Sequence, residues 1–121
     1  MSGTRILVID DEDIVRMSCK RTLEPEGYKV DLASSGAEAL ELFGRETYDL
    51  LLIDIKMPGI DGLQLIREIK RLKPDQNVLM MTGYDTSENP IPPEAMCGAG
   101  CLEKPFTPDD LADKINSALD K

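Results

Sequence analysis

Continuous apolar runs that end in acids, hydroxyls or turn residues alternate along this chain with stretches whose apolar positions recur every three or four residues. The clearest run is Leu50-Leu51-Leu52-Ile53, which meets Asp54 and then the turn signals Pro58-Gly59 and Asp61-Gly62. A run without polar alternation suits a strand covered on both faces, as in a parallel sheet, although periodicity alone leaves a buried helix open. Glycine and proline close behind it turn the backbone, so Asp54 is expected at the carboxyl end of an interior strand. Arg5 to Ile9 reads as the first strand and ends in Asp10-Asp11-Glu12-Asp13. Tyr28, Val30 and Leu32 alternate with Lys29 and Asp31, the pattern of a half-exposed edge strand. Val78 to Met81 is another continuous apolar strand, ending in Thr82-Gly83, and a very short fifth one surrounds Cys101-Leu102.

Helical periodicity fills the intervals. Ile14 to Leu23 reads as a helix closed by Pro25 and Gly27. Ser34 or Ser35 caps a second helix through Ala37, Leu40 and Phe43. Leu65, Ile66, Ile69 and Leu72 form the stripe of a third, which Pro74 stops. Thr107-Pro108-Asp109-Asp110 opens the last helix with a capping hydroxyl, proline at the first helical position and acids in the first turn. Its stripe is Leu111, Ile115, Ala118 and Leu119. Between Asp85 and Gly100, Pro90, Pro92 and Pro93 interrupt the place of a fourth helix and leave room for a short one around Glu94 to Cys97. Strand followed by helix, five times, implies parallel strands joined by right-handed crossovers, with helices on both faces of an α/β doubly wound sheet. No internal repeat, low-complexity tract or linker divides residues 1–121, so one domain is expected.

Composition narrows the function. At 121 residues, 41% hydrophobic and 31% charged, the chain has an ordinary globular balance and room for one core. No apolar run approaches the roughly 20 residues that span a bilayer, and no charged-then-apolar leader opens the chain; a cytoplasmic location without membrane association is expected. Asp and Glu outnumber Lys and Arg by 23 to 14, for a net charge of −9. Such a surface opposes direct binding of nucleic-acid phosphates. The absence of histidine removes every imidazole acid, base, ligand or phosphocarrier. The odd cysteine count points to reduced thiols, and Cys97 and Cys101 have only distant Cys19 to help complete a zinc site. Met57, Met80 and Met81 read as core filling.

The strand ends carry the chemistry. Strand one offers Asp10 and Asp11, strand three Asp54, strand four Thr82, and strand five Lys104 followed by Pro105. In a parallel sheet these ends share one edge, so the residues converge. Carboxylates crowded together recruit a cation or keep a proton, since two unit charges 4 Å apart interact by about 4 kcal/mol at an effective dielectric of 20. Few, hard oxygen ligands suit Mg²⁺, which shares its shell with water and phosphate. Lys104 and Thr82 supply a charge and a hydroxyl for phosphoryl oxygens. Together they describe a pocket for placing a phosphoryl group on one of its own aspartates.

These motifs, Ile9-Asp10-Asp11, Asp54 through Gly62 with Lys56-Met57-Pro58-Gly59, Thr82-Gly83 and Lys104-Pro105-Phe106, give the chain a resemblance to the CheY-like receiver domain of two-component response regulators over nearly all its length. The resemblance implies a flavodoxin-like five-stranded sheet of order 2-1-3-4-5. It implies that Asp54 is the phosphoacceptor, charged by a histidine kinase, a histidine phosphotransferase or a small acyl phosphate. Asp10, Asp11, Asp54 and the backbone carbonyl of Lys56 would hold Mg²⁺, with Asp11 the more direct ligand and Asp10 acting through water. Thr82 and Lys104 would bind the phosphoryl oxygens, with the Lys104-Pro105 peptide cis. The protein would be a switch rather than an enzyme beyond its own phosphorylation and dephosphorylation. Its readout would be the face formed by the fourth-helix region, strand five and the last helix, passed to an output domain or partner, or to a second copy on activation.

One position departs from the family. An aromatic residue usually stands three places before the lysine, and here it is Cys101. With the proline-broken stretch, this points to an output that depends on ordering of Tyr84 to Gly98. Lys56 and Tyr84, two residues beyond Asp54 and Thr82, read either as solvated loop side chains or as groups that control access of water to an acyl phosphate. Three other readings compete. Asp11-Glu12-Asp13-Ile14-Val15 imitates the signature of a haloacid-dehalogenase-like phosphatase with Asp11 as nucleophile, but leaves Asp54 without a role. A flavodoxin-like electron carrier would face an FMN phosphate with four consecutive acids. A receiver kept only for docking would not need all five site residues.

Overall fold

The computed structural model describes residues 4–54, 62–82, 100–103 and 106–119, with the backbone alone for Gly62, Leu63, Thr82, Gly100, Cys101 and Glu103. Two separate cores explain why the strands lack polar alternation. In strands β1 (Arg5–Ile9) and β3 (Leu50–Asp54), successive side chains point to opposite faces and both faces are covered. Leu7, Ile9, Leu51 and Ile53 enter one cluster with Ala39, Leu65, Ile66 and Ile69; Ile6, Val8, Leu50 and Leu52 enter the other with Cys19, Leu23, Leu111 and Ile115. Helices α2 (Gly36–Arg45) and α3 (Gly62–Leu72) thus cover the first face, and α1 (Asp13–Leu23) and α4 (Pro108–Leu119) the second. Met80 and Met81 of β4 (Val78–Thr82) are both fully buried, one on each side.

The strands form one parallel sheet in the order β2-β1-β3-β4-β5, with β2 (Lys29–Ala33) and β5 (Gly100–Glu103) at its edges. The mixed exposure of β2 follows from that edge position. Tyr28 falls just before β2 rather than within it, and its hydroxyl donates to the Asn116 side chain of α4. The expected short helix around Glu94 to Cys97 lies outside the described residues.

Local chemistry sets the helix ends. Ser35 is the N-cap of α2, its Oγ accepting from the Glu38 N–H at 3.2 Å. Ser34 takes the other part of that turn: its N–H and Oγ both donate to Glu38 Oε1, at 2.8 and 2.9 Å. Thr107 and Asp110 form a reciprocal capping box on α4, at 3.0 and 3.2 Å. Gly27, at φ 98°, closes the 3₁₀ turn Glu24–Glu26 that ends α1 in a left-handed conformation costly for other residues. One expected core position is corrected. Leu72 shares the stripe of Leu65, Ile66 and Ile69, yet it sits in the last turn of α3 and is 52% exposed.

Polar ties fasten the amino-terminal edge of the sheet. Tyr48, 2% exposed, donates its hydroxyl to Asp31 Oδ2 at 2.7 Å, and burial together with that carboxylate raises its pKa. Arg5 reaches Glu46 at 2.8 Å, while its N–H donates to Asp49 at 2.8 Å. The buried Gln76 side chain donates to the Tyr48 carbonyl at 3.0 Å.

Leu52→Ala empties a fully buried position and is expected to lower the unfolding free energy by about 2–5 kcal/mol. Leu72→Ala should change it by no more than about 0.5 kcal/mol. Urea titrations compare the two, and equal losses would contradict the placement of Leu72. A second expectation concerns Glu38, whose carboxyl is held below the usual range, first by the Ser34 N–H and then by the Ser34 hydroxyl. A depressed carboxyl adds stability above its unfolded value of about 4.3, lost as pH falls through the folded value. Glu38→Gln should therefore destabilise at pH 7, and the gap from wild type should close on acidification below the usual carboxylate range.

Candidate functional site

Strand register assembles the site. Ile9 pairs with Ile53, so the residues that follow them, Asp10 and Asp54, lie side by side at the carboxyl edge of the sheet. Asp54 in turn pairs with Met81, and Thr82 follows as the last residue of β4, opposite Glu103 of β5. The acidic ends of β1 and β3 and the hydroxyl-bearing end of β4 therefore share one edge.

Three carboxylates meet there. One oxygen from each of Asp10, Asp11 and Asp54 lies within 4.8 Å of the others. Asp10 is fully buried and Asp54 is 4% exposed, whereas Asp11 is exposed. Two buried carboxylates and one facing water, all hard oxygen donors without thiolate or imidazole, fit a cation of the Mg²⁺ or Ca²⁺ class better than zinc. Asp11 puts one of the three carboxylates in contact with solvent.

Asp10 is held at its N–H, its carbonyl and one carboxylate oxygen. Its N–H donates to the Ala33 carbonyl of β2 at 3.1 Å. Its Oδ1 accepts from the Glu12 N–H at 2.9 Å, turning the chain sharply from β1 toward α1. Its carbonyl accepts from the Arg16 guanidinium at 2.5 Å, and the same guanidinium also bonds the Asp13 carboxylate. Arg16 is not a surface residue: its side chain is only 14% exposed. Its charge also reaches Glu38 at the start of α2, where it helps to lower that carboxyl.

Of the residues expected in one pocket, Asp10, Asp11, Asp54, Thr82, Lys56 and Lys104, the structure brings the first three together and sets the Thr82 backbone on the same edge. Lys56, Lys104, the Lys104-Pro105 peptide, Tyr84 and the side chain of Cys101 lie outside the described residues or side chains. Arg16 is a site neighbour that the sequence pattern does not reveal. Its spacing of three from Asp13 is an ordinary helical ion-pair signal, and nothing in the sequence says that its other partner is a backbone carbonyl of the site.

Known proteins resemble this chain in sequence and in fold. The family model of the response regulator receiver domain matches residues 6–116. The response regulator MprA of Mycobacterium leprae is 37% identical over 118 residues, which are 95% of this chain and 50% of that protein. The chain thus spans about half the length of the MprA relatives it matches. Among solved structures, a response regulator receiver domain protein from Clostridium thermocellum is 37% identical with a TM-score of 0.85, over 97% of this chain and 94% of the other. The response regulator TrrA of Thermotoga maritima, crystallised in complex with Mg²⁺ and BeF, is also 37% identical with a TM-score of 0.85, over 97% of this chain and 100% of its own. These relatives and solved structures alike are response regulators, which gives the phosphatase alternative no support. With its parallel sheet and its acidic pocket at the strand ends, the chain belongs to the response regulator receiver domain family and is a signalling module of the two-component type.

Proposed function

We propose that Asp54 is the phosphoacceptor of this receiver and that its modification is the switch. The observation that carries the reading is the nearly buried Asp54 carboxylate packed within 4.8 Å of those of Asp10 and Asp11. In this reading an Asp54 oxygen attacks the phosphorus of a phosphohistidine or an acyl phosphate. The phosphorus bond to the donor breaks as the mixed anhydride forms, and water later hydrolyses that anhydride. Mg²⁺, bound by Asp10, Asp11, Asp54 and the Lys56 carbonyl, would neutralise charge on the entering group. Thr82 and Lys104 would hold the phosphoryl oxygens.

Residues 1–121 would act as one flavodoxin-like domain. Phosphorylation adds about −1.5 to −2 charges at the sheet edge, and donors drawn toward them would shift the face formed by residues 85–100, β5 and α4. The partners would be a sensor histidine kinase or histidine phosphotransferase on the input side and an output domain, partner protein or second copy on the other. With a net charge of −9, this chain would leave any nucleic-acid contact to such a partner. The setting would be the cytoplasm; among the described residues no helix is long and apolar enough to cross a membrane.

Treatment with acetyl phosphate and Mg²⁺, followed by intact-mass analysis, should add one phosphoryl group to the wild type and none to Asp54→Ala. Undiminished labelling of that variant would sink the assignment. Metal binding has its own signature in unfolding experiments. Mg²⁺ at a hundred times its dissociation constant should stabilise the wild type by about 2.7 kcal/mol. Asp11→Asn should lose most of that response, yet be more stable without metal by about 1 kcal/mol, because one repulsive charge is gone.

A further inference from the structure

Among the described residues, two backbone groups bond Asp10, the Ala33 carbonyl and the Glu12 N–H. A side chain, Arg16, also holds it, its guanidinium reaching the Asp10 carbonyl at 2.5 Å from within α1. A cation this close to a cation site would oppose a metal if it acted through charge alone. Its contact with the Asp13 carboxylate offsets that charge, and its burial, with the side chain 14% exposed, restricts it to one geometry. The guanidinium fork can serve both oxygens at once, which a lysine ammonium on a flexible stem does poorly.

We propose that Arg16 is a positioning residue of the acidic pocket: by gripping the Asp10 carbonyl it keeps the Asp10-Asp11 turn facing Asp54 and so sets the affinity for Mg²⁺. The proposal rests on reading these three carboxylates as the metal pocket. It differs from that reading in what it requires, because the Arg16 contacts are to the Asp10 carbonyl and the Asp13 carboxylate rather than to an oxygen of the cluster. Groups that orient metal ligands without binding the metal change affinity by roughly 10–100-fold when removed. Since Asp10 keeps its two backbone partners, the low end applies.

Calorimetric titration of the folded proteins with MgCl₂ tests this. Arg16→Met should raise the dissociation constant about tenfold, and Arg16→Lys, which keeps the charge but not the fork, should also be weakened. A charge effect has the opposite pattern: Arg16→Met would bind Mg²⁺ more tightly and Arg16→Lys as the wild type does. Unchanged or tighter binding by Arg16→Met overturns the proposal, as does a loss confined to thermal stability. Should Arg16→Met fail to fold, Arg16→Lys decides alone by the same criterion. Hydrogen exchange gives a metal-free readout. The Glu12 amide, bonded to Asp10 Oδ1, should exchange faster in the variants relative to Val8 in the core, and unchanged protection counts against the anchor. If the wild type itself took up no Mg²⁺, the metal pocket would be wrong, and exchange at the Glu12 amide would still decide whether Arg16 fixes the turn.

Discussion

Everything in this molecule depends on the parallel pairing of β1 with β3. That pairing, with Ile9 opposite Ile53, is what sets two nearly buried carboxylates beside each other. A slip of one residue would send the apolar set of each strand to the wrong face. Because Leu7, Ile9, Leu51 and Ile53 fill one core and Ile6, Val8, Leu50 and Leu52 the other, both faces resist such a slip. The register that buries the core therefore also defines the pocket, and the fold can keep like charges together because apolar burial on both sides holds the strands in place.

Much of this was legible in the chain. Continuous apolar strands bounded by acids or a hydroxyl located the sheet edge, and Thr107-Pro108-Asp109-Asp110 marked the start of α4 where its capping box is found. The ambiguity between Ser34 and Ser35 resolved into a division of labour, with Ser35 capping the helix and Ser34 bonding Glu38. What sequence could not show were contacts that depend on where a helix ends or what a long side chain reaches. Leu72 keeps the right period but is half exposed in the last turn of α3. Arg16 binds a carbonyl, a group every residue possesses, so no pattern of residue types could single out that partner.

Family membership and geometry support each other from independent directions. The matches identify the module, while the side-by-side placement of Asp10 and Asp54 explains in physical terms why such a module is responsive to charge. In the proposed reading, crowded carboxylates favour a cation beside them, since electrostatic interactions strengthen as water is excluded. One of them, Asp11, is exposed.

The polar ties at the other end of the sheet have a consequence for substitutions. Tyr48 to Asp31, Arg5 to Glu46 and Asp49, and Gln76 to the Tyr48 carbonyl bind β1, β2 and the segments entering β3 and β4 to one another. These bonds lie toward the strand starts and the acidic cluster at the strand ends, so a substitution in one set leaves the bonding groups of the other intact.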